Sequence, residues 1–153
     1  MNYELSVRQS NVNDSEKCHD LLLLIADLHK KGRPDVFENL VSKYTLDEVK
    51  ERLSSADNGV FVAELNGTVV GYVFCDIIKE GSGITLYVDD LCVHPSARNK
   101  GVATALMNHA SAYGKEKGCR MIMLNVWEFN KSAISFYENY GFETRSRHLE
   151  KHI

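Results

Sequence analysis

The residues best suited to chemistry lie in one stretch, residues 91–107, which reads LCVHPSARNKGVATALM. An apolar run ends at His94 and Pro95, and a basic turn that contains Gly101 then leads into apolar residues with helical spacing. The first turn of a helix has N–H groups without intrahelical acceptors, and the aligned peptide dipoles add about half a positive charge there. This junction therefore predicts a site for a phosphate-bearing ligand.

Strands and helices must position this junction, and the chain predicts them in alternation. The predicted strands are residues 5–8, 60–65, 68–78, 84–93, 120–127 and a last strand from Phe142 onward. The predicted helices begin at Asn13 or Asp14 and end before Gly32, run from Thr45 to about Ser55, follow the junction to near Gly118, and span residues 131–140. Residues 33–37 are predicted to be a loop because they contain Pro34.

The order of these elements predicts an α/β fold with a mixed sheet. Asn66 and Gly67 join two strands as a hairpin, and Gly141 is suited to a left-handed helix cap. The strand, helix and strand around residues 84–127 form a unit that should be parallel and right-handed. Ligands of such units bind at the carboxyl ends of the strands, where residues 91–104 lie.

Composition narrows the class of protein. The 153 residues are 44% hydrophobic and 25% charged with a net charge of −3, which predicts one globular domain over residues 1–153. Basic residues form no stripe, so nucleic acid is not an expected partner. The longest apolar run is far below the ~20 residues of a membrane span and no signal-peptide pattern is present, so no membrane partner and a cytoplasmic location are expected.

The four cysteines are far apart in sequence and show no metal-ligand spacing. We therefore expect reduced thiols in the core and no metal site. His148 and His152 are four residues apart, but they belong to a charged tail in which solvated side chains are expected.

Two motifs resemble those of the GNAT superfamily of acyl-CoA-dependent N-acyltransferases. The pyrophosphate signature of that family is matched by Arg98, Gly101 and Ala103, after a strand that ends in Val93-His94-Pro95. Its second signature is matched by Asn130, Ala133, Phe136-Tyr137-Glu138 and Gly141-Phe142. The resemblance covers residues 60–142 well and the first 59 residues only in helix pattern. Asn99 replaces a common glycine, which is tolerable because Asn adopts left-handed backbone conformations more easily than other side chains.

The resemblance implies a mostly antiparallel mixed sheet with a central, splayed parallel strand pair and about four flanking helices. It also implies acetyl-CoA as co-substrate and no metal. The residues implied to bind the coenzyme are Leu91, Cys92, Val93, Arg98, Asn99, Lys100, Gly101, Val102, Ala103, Thr104, Asn130 and Tyr137. The alternatives are that Arg98 and Lys100 are solvated loop cations and that Asn130 only caps its helix.

The resemblance also implies two catalytic roles. The stretch around Asp89 and Asp90 resembles the acidic strand of polyamine and thialysine acetyltransferases, where the first acid is the proposed base, so Asp89 is the candidate. Strand alternation predicts that the two carboxylates lie on opposite faces, with Asp89 in phase with Leu91, unless a bulge shifts the phase. Tyr137 would donate a proton or a hydrogen bond to the leaving thiolate. The alternative for Asp89 and Asp90 is that they only bind a cationic substrate or pair with Arg and Lys side chains. The alternative for Tyr137 is a structural role in the core.

The acceptor is expected to be a small amine, and the candidate acceptor-binding residues are Asp35, Phe37, Asp90 and Glu128. A peptide or protein amine is the alternative within this class, and it would require an open cleft near residues 33–44. A non-catalytic acyl-CoA sensor would bind the coenzyme without needing Asp89 or Tyr137. A phosphotransferase is disfavoured because the chain contains no P-loop motif. Edge strands near the C-terminus make a homodimer possible.

Overall fold

The computed structural model describes residues 2–153, and its centre is a five-stranded sheet with the strand order β1-β2-β3-β4-β5. The strands are β1 (Leu5–Gln9), β2 (Val60–Leu65), β3 (Thr68–Glu80), β4 (Gly83–Val93) and β5 (Ile122–Leu124). The helices are α1 (Ser15–Gly32), α2 (Pro34–Phe37), α3 (Leu46–Leu53), α4 (Val102–Glu116) and α5 (Lys131–Tyr140). Neighbouring strands are antiparallel except β4 and β5, which are parallel. The predicted mixed α/β fold is therefore confirmed.

Local sequence signals explain several of the element ends. Asn66 and Gly67 adopt φ angles of 53° and 82°, so they form the predicted tight turn between β2 and β3. Thr45 caps α3 and forms a reciprocal capping box with Glu48. Gly141 ends α5 in the left-handed region, with a φ of 117°. These positions matched the sequence prediction because each depends on only a few adjacent residues.

The sheet separates two apolar layers. On one face, α4 packs Leu106, Met107 and Ala110 against the sheet, and all three are fully buried. On the other face, α1 and α3 pack against β2 and β3 through residues such as Leu22 and Leu53. Because helices cover both faces, the middle strands are apolar on both sides rather than alternating.

A bulge interrupts the pairing of β3 with β4. Phe74 lies opposite Asp90, whereas the next residue of β3, Cys75, lies opposite Val88, so Asp89 is the additional residue. The parallel pairing of β4 with β5 ends at this same level, because its last partners are Val88 and Leu124.

Three predicted elements differ from the structure. Residues after Gly141 form no strand, so within residues 2–153 the parallel pair lies at the sheet edge rather than in its centre. The predicted strand over residues 120–127 is reduced to Ile122–Leu124, because only these residues pair with β4. Residues 33–37 contain the short helix Pro34–Phe37 rather than a loop, since proline is well tolerated in the first turn of a helix.

The start of α1 agrees in part with the prediction, and its end differs. Asp14, one of the two predicted positions, is the N-cap residue of α1, but its side chain makes no cap hydrogen bond to this helix. The Asn11 side chain instead caps the short 3₁₀ turn over Val12–Asp14 that leads into α1. Asp14 completes a capping box there by accepting from the Asn11 N–H. The helix includes Gly32, although it was predicted to end before this residue.

No helix within residues 2–153 is long and apolar enough to cross a membrane. In the same part of the chain, no three His, Cys, Asp or Glu side chains come together as a group that could hold a metal ion.

Candidate active site

The pairing of β4 with β5 ends at Val88 and Leu124, so the edge of β4 beyond Val88 has no strand partner, and the space beside this edge is termed the gap. The Leu86 N–H donates to the carbonyl of Met121, the residue before β5, whereas the His94 N–H donates to the Val70 carbonyl of β3. Backbone groups alternate in direction along a strand, and the bulge at Asp89 reverses their phase. Beyond the bulge, therefore, Leu91 and Val93 face the gap, and their backbone groups can bind an extended ligand as an added strand would.

Cys92, predicted together with Leu91 and Val93, has a different environment. It has the same phase as His94, whose N–H donates to the Val70 carbonyl of β3, so its backbone groups face β3. Its side chain is 5% exposed, and its thiol donates to the Leu21 carbonyl at 3.6 Å. Burial raises the pKa of this thiol to about 12, so an acyl-carrying thiolate is strongly disfavoured.

The N-terminus of α4 lies directly after this strand and its connecting turn. Asn99 and Gly101 adopt left-handed φ angles of 61° and 77°, as predicted for Asn99, and no side chain caps the helix. Within residues 2–153, no acceptor lies within hydrogen-bonding distance of the backbone N–H groups of residues 99–104. An end of this kind, with a free row of N–H groups, fits an anion.

The side chains around this helix end differ in exposure. Arg98 and Thr104 are exposed, Ala103 is half-buried, and Val102 is buried in the core below α4. Lys100 donates its ammonium to the Ser96 carbonyl at 3.2 Å, which stabilises the turn itself.

Asp89 and Asp90 lie beside the gap, on the face covered by α1 and α3. The Asp89 carboxylate accepts from the Tyr44 hydroxyl at 2.6 Å and from the Lys43 ammonium at 2.9 Å. The Asp90 carboxylate accepts from the Tyr72 hydroxyl at 2.8 Å. Burial raises the pKa of Asp90 above its ordinary value, and the bond from Tyr72 offsets only part of that increase.

The two acids do not lie on opposite faces, as strand alternation predicts in the absence of a bulge, because the structure contains a bulge here. Tyr44 and Tyr72 both belong to the apolar layer of α1 and α3, so both carboxylates are directed to that face. Leu91, expected in phase with Asp89, packs against the α4 layer instead. The physical reason is the bulge, whose additional residue shifts the alternation by one position.

Tyr137 and Asn130 are both placed by α5. Burial, with a smaller contribution from the negative charge of Asp90, raises the pKa of Tyr137 to about 12. The Tyr137 ring packs edge-on against Phe136 and Phe142. Asn130 caps α5 by accepting from the Ala133 N–H at 3.2 Å, so its capping role is present in the structure.

The other predicted acceptor-binding residues are engaged with neighbours. Asp35 accepts two bonds from Arg33, at 2.9 and 2.8 Å. Glu128, which is 90% exposed, pairs with Lys131 at 2.9 Å. Phe37 packs against Trp127, with 5.1 Å between ring centroids, so α2 contacts the segment that follows β5.

Three residues of the site were missed by sequence reasoning: Lys43, Tyr44 and Tyr72. Lys43 and Tyr44 precede the Thr45 cap of α3 and reach Asp89 across 46 and 45 positions of sequence. No local pattern encodes such a contact. Tyr72 carried a weak signal, because a tyrosine in a strongly apolar strand needs a buried partner for its hydroxyl.

Comparison with known proteins adds four findings. The model of the acetyltransferase (GNAT) family matches residues 24–142. An N-acetyltransferase of Methanocaldococcus jannaschii is 39% identical over 92 residues, which are 58% of this chain and 41% of that relative, so the chain spans less than half of its length. A mutant form of the BH1408 protein from Bacillus halodurans has a TM-score of 0.83 at 21% identity, covering 97% of this chain and 99% of that one.

A second solved structure, the aminoglycoside N-acetyltransferase AAC(6')-Iy in complex with CoA, has a TM-score of 0.73 at 21% identity. The alignment covers 100% of this chain and 97% of that chain. At this level of identity, both structural likenesses establish a shared fold.

Proposed function

The chain belongs to the GNAT acetyltransferase family, and on that premise we propose that it transfers an acetyl group from acetyl-CoA to a primary amine of a small molecule. The observation that carries the proposal is that two groups of backbone N–H donors without acceptors follow one another along the chain. One is the strand edge of Leu91 and Val93 beyond the end of β4–β5 pairing, and the other is the uncapped start of α4.

The coenzyme would bind along both sets. The N–H groups of residues 99–104 would bind the pyrophosphate, assisted by the exposed Arg98. The pantetheine arm would pair with Leu91 and Val93 in the manner of a strand, and Asn130 would contact it in addition to capping α5. No metal is part of this proposal.

The chemistry would follow from the groups around the bulge. An amine with a pKa near 10.4 pays about 4 kcal/mol to lose its proton near neutral pH. Asp89 would take that proton, and its contact with the Lys43 ammonium supports access of an ammonium group to this carboxylate. Asp90 is the second candidate for the base, because its raised pKa brings it nearer to that of an amine.

The remaining steps concern the thioester. As the amine nitrogen bonds to the carbonyl carbon, the Leu91 N–H would stabilise the oxyanion, because it faces the gap whereas the Cys92 N–H faces β3. The carbon–sulfur bond then breaks, and the Tyr137 hydroxyl would donate a hydrogen bond to the thiolate. The presence of both an acid–base candidate and a thiolate partner favours an enzyme over an acyl-CoA sensor.

A small acceptor is favoured over a peptide by the segment between α1 and α3. A peptide would need an open cleft near residues 33–44, but Tyr44 is bonded to Asp89 and Phe37 packs against Trp127. A cavity of about 330 Å³ lies beside Tyr44, between α3 and β3, and its charged lining residues are Glu48, Glu51 and Arg52, two acids against one base. Such surroundings suit a compact amine that carries a second positive charge.

The direct experiment is incubation with acetyl-CoA and a panel of polyamines, amino acids, aminoglycosides and peptides, with detection of released thiol. We expect release with at least one small amine and much less with peptides. Tight coenzyme binding with no thiol release for any amine would instead indicate the sensor function. Peptide acetylation faster than that of every small amine would overturn the small-molecule proposal.

Two further proposals concern the setting of the enzyme. All four cysteines are free, which suits the reducing cytoplasm. A homodimer is supported by β5, which within residues 2–153 pairs only with β4, and by the irregular tail after Gly141, where Leu149 is 83% exposed.

A further inference from the structure

The side-chain amine of Lys43 lies beside Asp89, the proposed base. The Lys43 Nζ lies 2.9 Å from the Asp89 Oδ1 and 2.9 Å from the Asp89 carbonyl oxygen. The same ammonium lies 5.9 Å from the centroid of the Tyr44 ring. Two oxygens and an aromatic face form a recognition set for an ammonium group. We propose that Lys43 is itself an acceptor and that the chain acetylates its own Lys43, an inference that rests on the proposed function.

The position of the acyl group in that function is within reach of Lys43. Asp89 is the bulge residue, and Leu91, whose N–H faces the gap, follows two positions later. Residues of a strand advance by about 3.4 Å each, so the two lie about 7 Å apart along β4. The Lys43 side chain is 43% exposed, and its four methylene groups allow the amine to swing over such a distance.

The other lysines with assigned ionic partners lie elsewhere. Within residues 2–153 these are Lys31 with Asp27, Lys117 with Asp57 and Lys131 with Glu128. None of these partners belongs to β4. Lys43 is therefore singled out by its contact with the bulge and not by exposure, which it shares with many lysines.

The reaction is the proposed transfer with an internal nucleophile. Asp89 accepts a proton from the Lys43 ammonium, and the freed nitrogen bonds to the thioester carbonyl carbon. The carbon–sulfur bond then breaks, CoA leaves as the thiolate, and the second amine proton passes to that thiolate, which leaves a neutral amide and CoA thiol. The product side chain has no charge, so the ion pair with Asp89 is lost. Asp89 returns its proton to the solvent, and its carboxylate is then available to an external amine.

The test uses the full chain and acetyl-CoA labelled in the acetyl group, without any added amine. Intact mass and peptide mapping should show one acetyl group per chain, located at Lys43, with a rate that saturates with acetyl-CoA and does not depend on protein concentration. Lys43→Arg should abolish this modification. Lys50→Arg, which changes an exposed lysine of α3, is the matched control and should leave it intact.

Three results would overturn the inference. These are equal labelling of many exposed lysines, a rate per chain that increases with protein concentration, and an unmodified Lys43 in protein that acetylates external amines. The last result leaves the proposed function standing, because thiol release by external amines is measured separately. If the protein does not bind acetyl-CoA at all, both the proposed function and the acetylation of Lys43 are overturned.

Discussion

At the scale of single residues, the surroundings of several groups change their chemistry. Tyr137 is one of them, because burial raises its pKa to about 12. Full proton transfer from such a phenol to a thiolate with a pKa near 8.5 would cost about 5 kcal/mol. Tyr137 is therefore better suited to donate a hydrogen bond to the thiolate than to lose its proton.

We predict that Tyr137→Phe lowers kcat by about 10- to 100-fold, the value of one hydrogen bond to a charged group. Affinity for acetyl-CoA should change little, since the ring and its packing remain. Steady-state kinetics and calorimetric titration of the variant separate the two effects. Unchanged turnover would remove the role assigned to the hydroxyl.

Asp90 provides a prediction about stability and pH. Its pKa is raised by burial, so the folded protein holds this proton more tightly than the unfolded chain does. The contribution of Asp90 to stability is therefore most favourable in acid and is lost as the pH rises through the raised pKa. Asp90→Asn, which can still accept from Tyr72, should raise the Tm at pH 8, and the gain should shrink as the pH falls toward 4.

Thermal melts of the wild type, Asp90→Asn and Asp89→Asn across this range check the prediction. Asp89→Asn is the control, because it weakens the contact with Lys43 and should give no gain at pH 8. A lower Tm for Asp90→Asn at pH 8 than for the wild type would contradict the assignment.

At the scale of elements, the start of α4 is the part most specialised for binding. Gly101 has a φ of 77°, where a side chain is strained by roughly 1–2 kcal/mol, and it lies within the row of free N–H groups. No atom within 4 Å would obstruct an added Cβ in the free protein, so any loss of binding comes from the backbone and from contact with the ligand.

Gly101→Ala should therefore weaken acetyl-CoA binding by about tenfold or more, equivalent to about 1.4 kcal/mol. Gly67→Ala is a matched control, since Gly67 has a φ of 82° and equally open surroundings but lies in the β2–β3 turn. It should cost similar stability and leave the Kd for acetyl-CoA unchanged. Equal Kd values for both variants and the wild type would exclude the start of α4 from the site.

The elements show why some features were predictable from sequence. The hairpin turn, the helix caps and the helix that follows β4 each depend on residues adjacent in sequence. Asn66, Gly101 and Gly141 were therefore sufficient to predict them. The tail after Phe142 is almost entirely polar and forms no strand, since a strand requires a partner and a buried apolar face. Its contacts are ion pairs instead, from Arg145 to Glu80 at 2.8 Å and from Glu150 to Arg33 at 2.6 Å.

The same distinction applies to the candidate site. Residues 98–104 were found because the anion-binding motif is contiguous in sequence. The orientation of the Asp89 side chain could not be predicted in the same way, because a bulge depends on the register of β3 against β4. Lys43 and Tyr44 were missed since only tertiary packing brings them to Asp89.

At the scale of the whole molecule, the site lies at one edge of the sheet. On the α1 and α3 face it is covered by the segment that contains Phe37 and Tyr44, and β5 leaves its outer edge without a strand partner within residues 2–153. A strand edge without a partner, next to an irregular tail in which Leu149 and Ile153 are exposed, favours pairing with a second copy.

Removal of residues 144–153 should therefore convert a dimer into a monomer, because it removes the tail with Leu149 and Ile153. Light scattering coupled to size exclusion measures the mass of both forms. A full chain that remains monomeric at high micromolar concentration would contradict the dimer proposal, and it would leave the acetyl transfer proposal unaffected.

The most direct measurement for the central claim is a calorimetric titration of the folded wild-type chain with acetyl-CoA. The account predicts saturable binding of one molecule per chain that weakens as salt is added, because free N–H groups and Arg98 bind its phosphates. A titration without heat at any concentration, on protein shown to be folded, would contradict it.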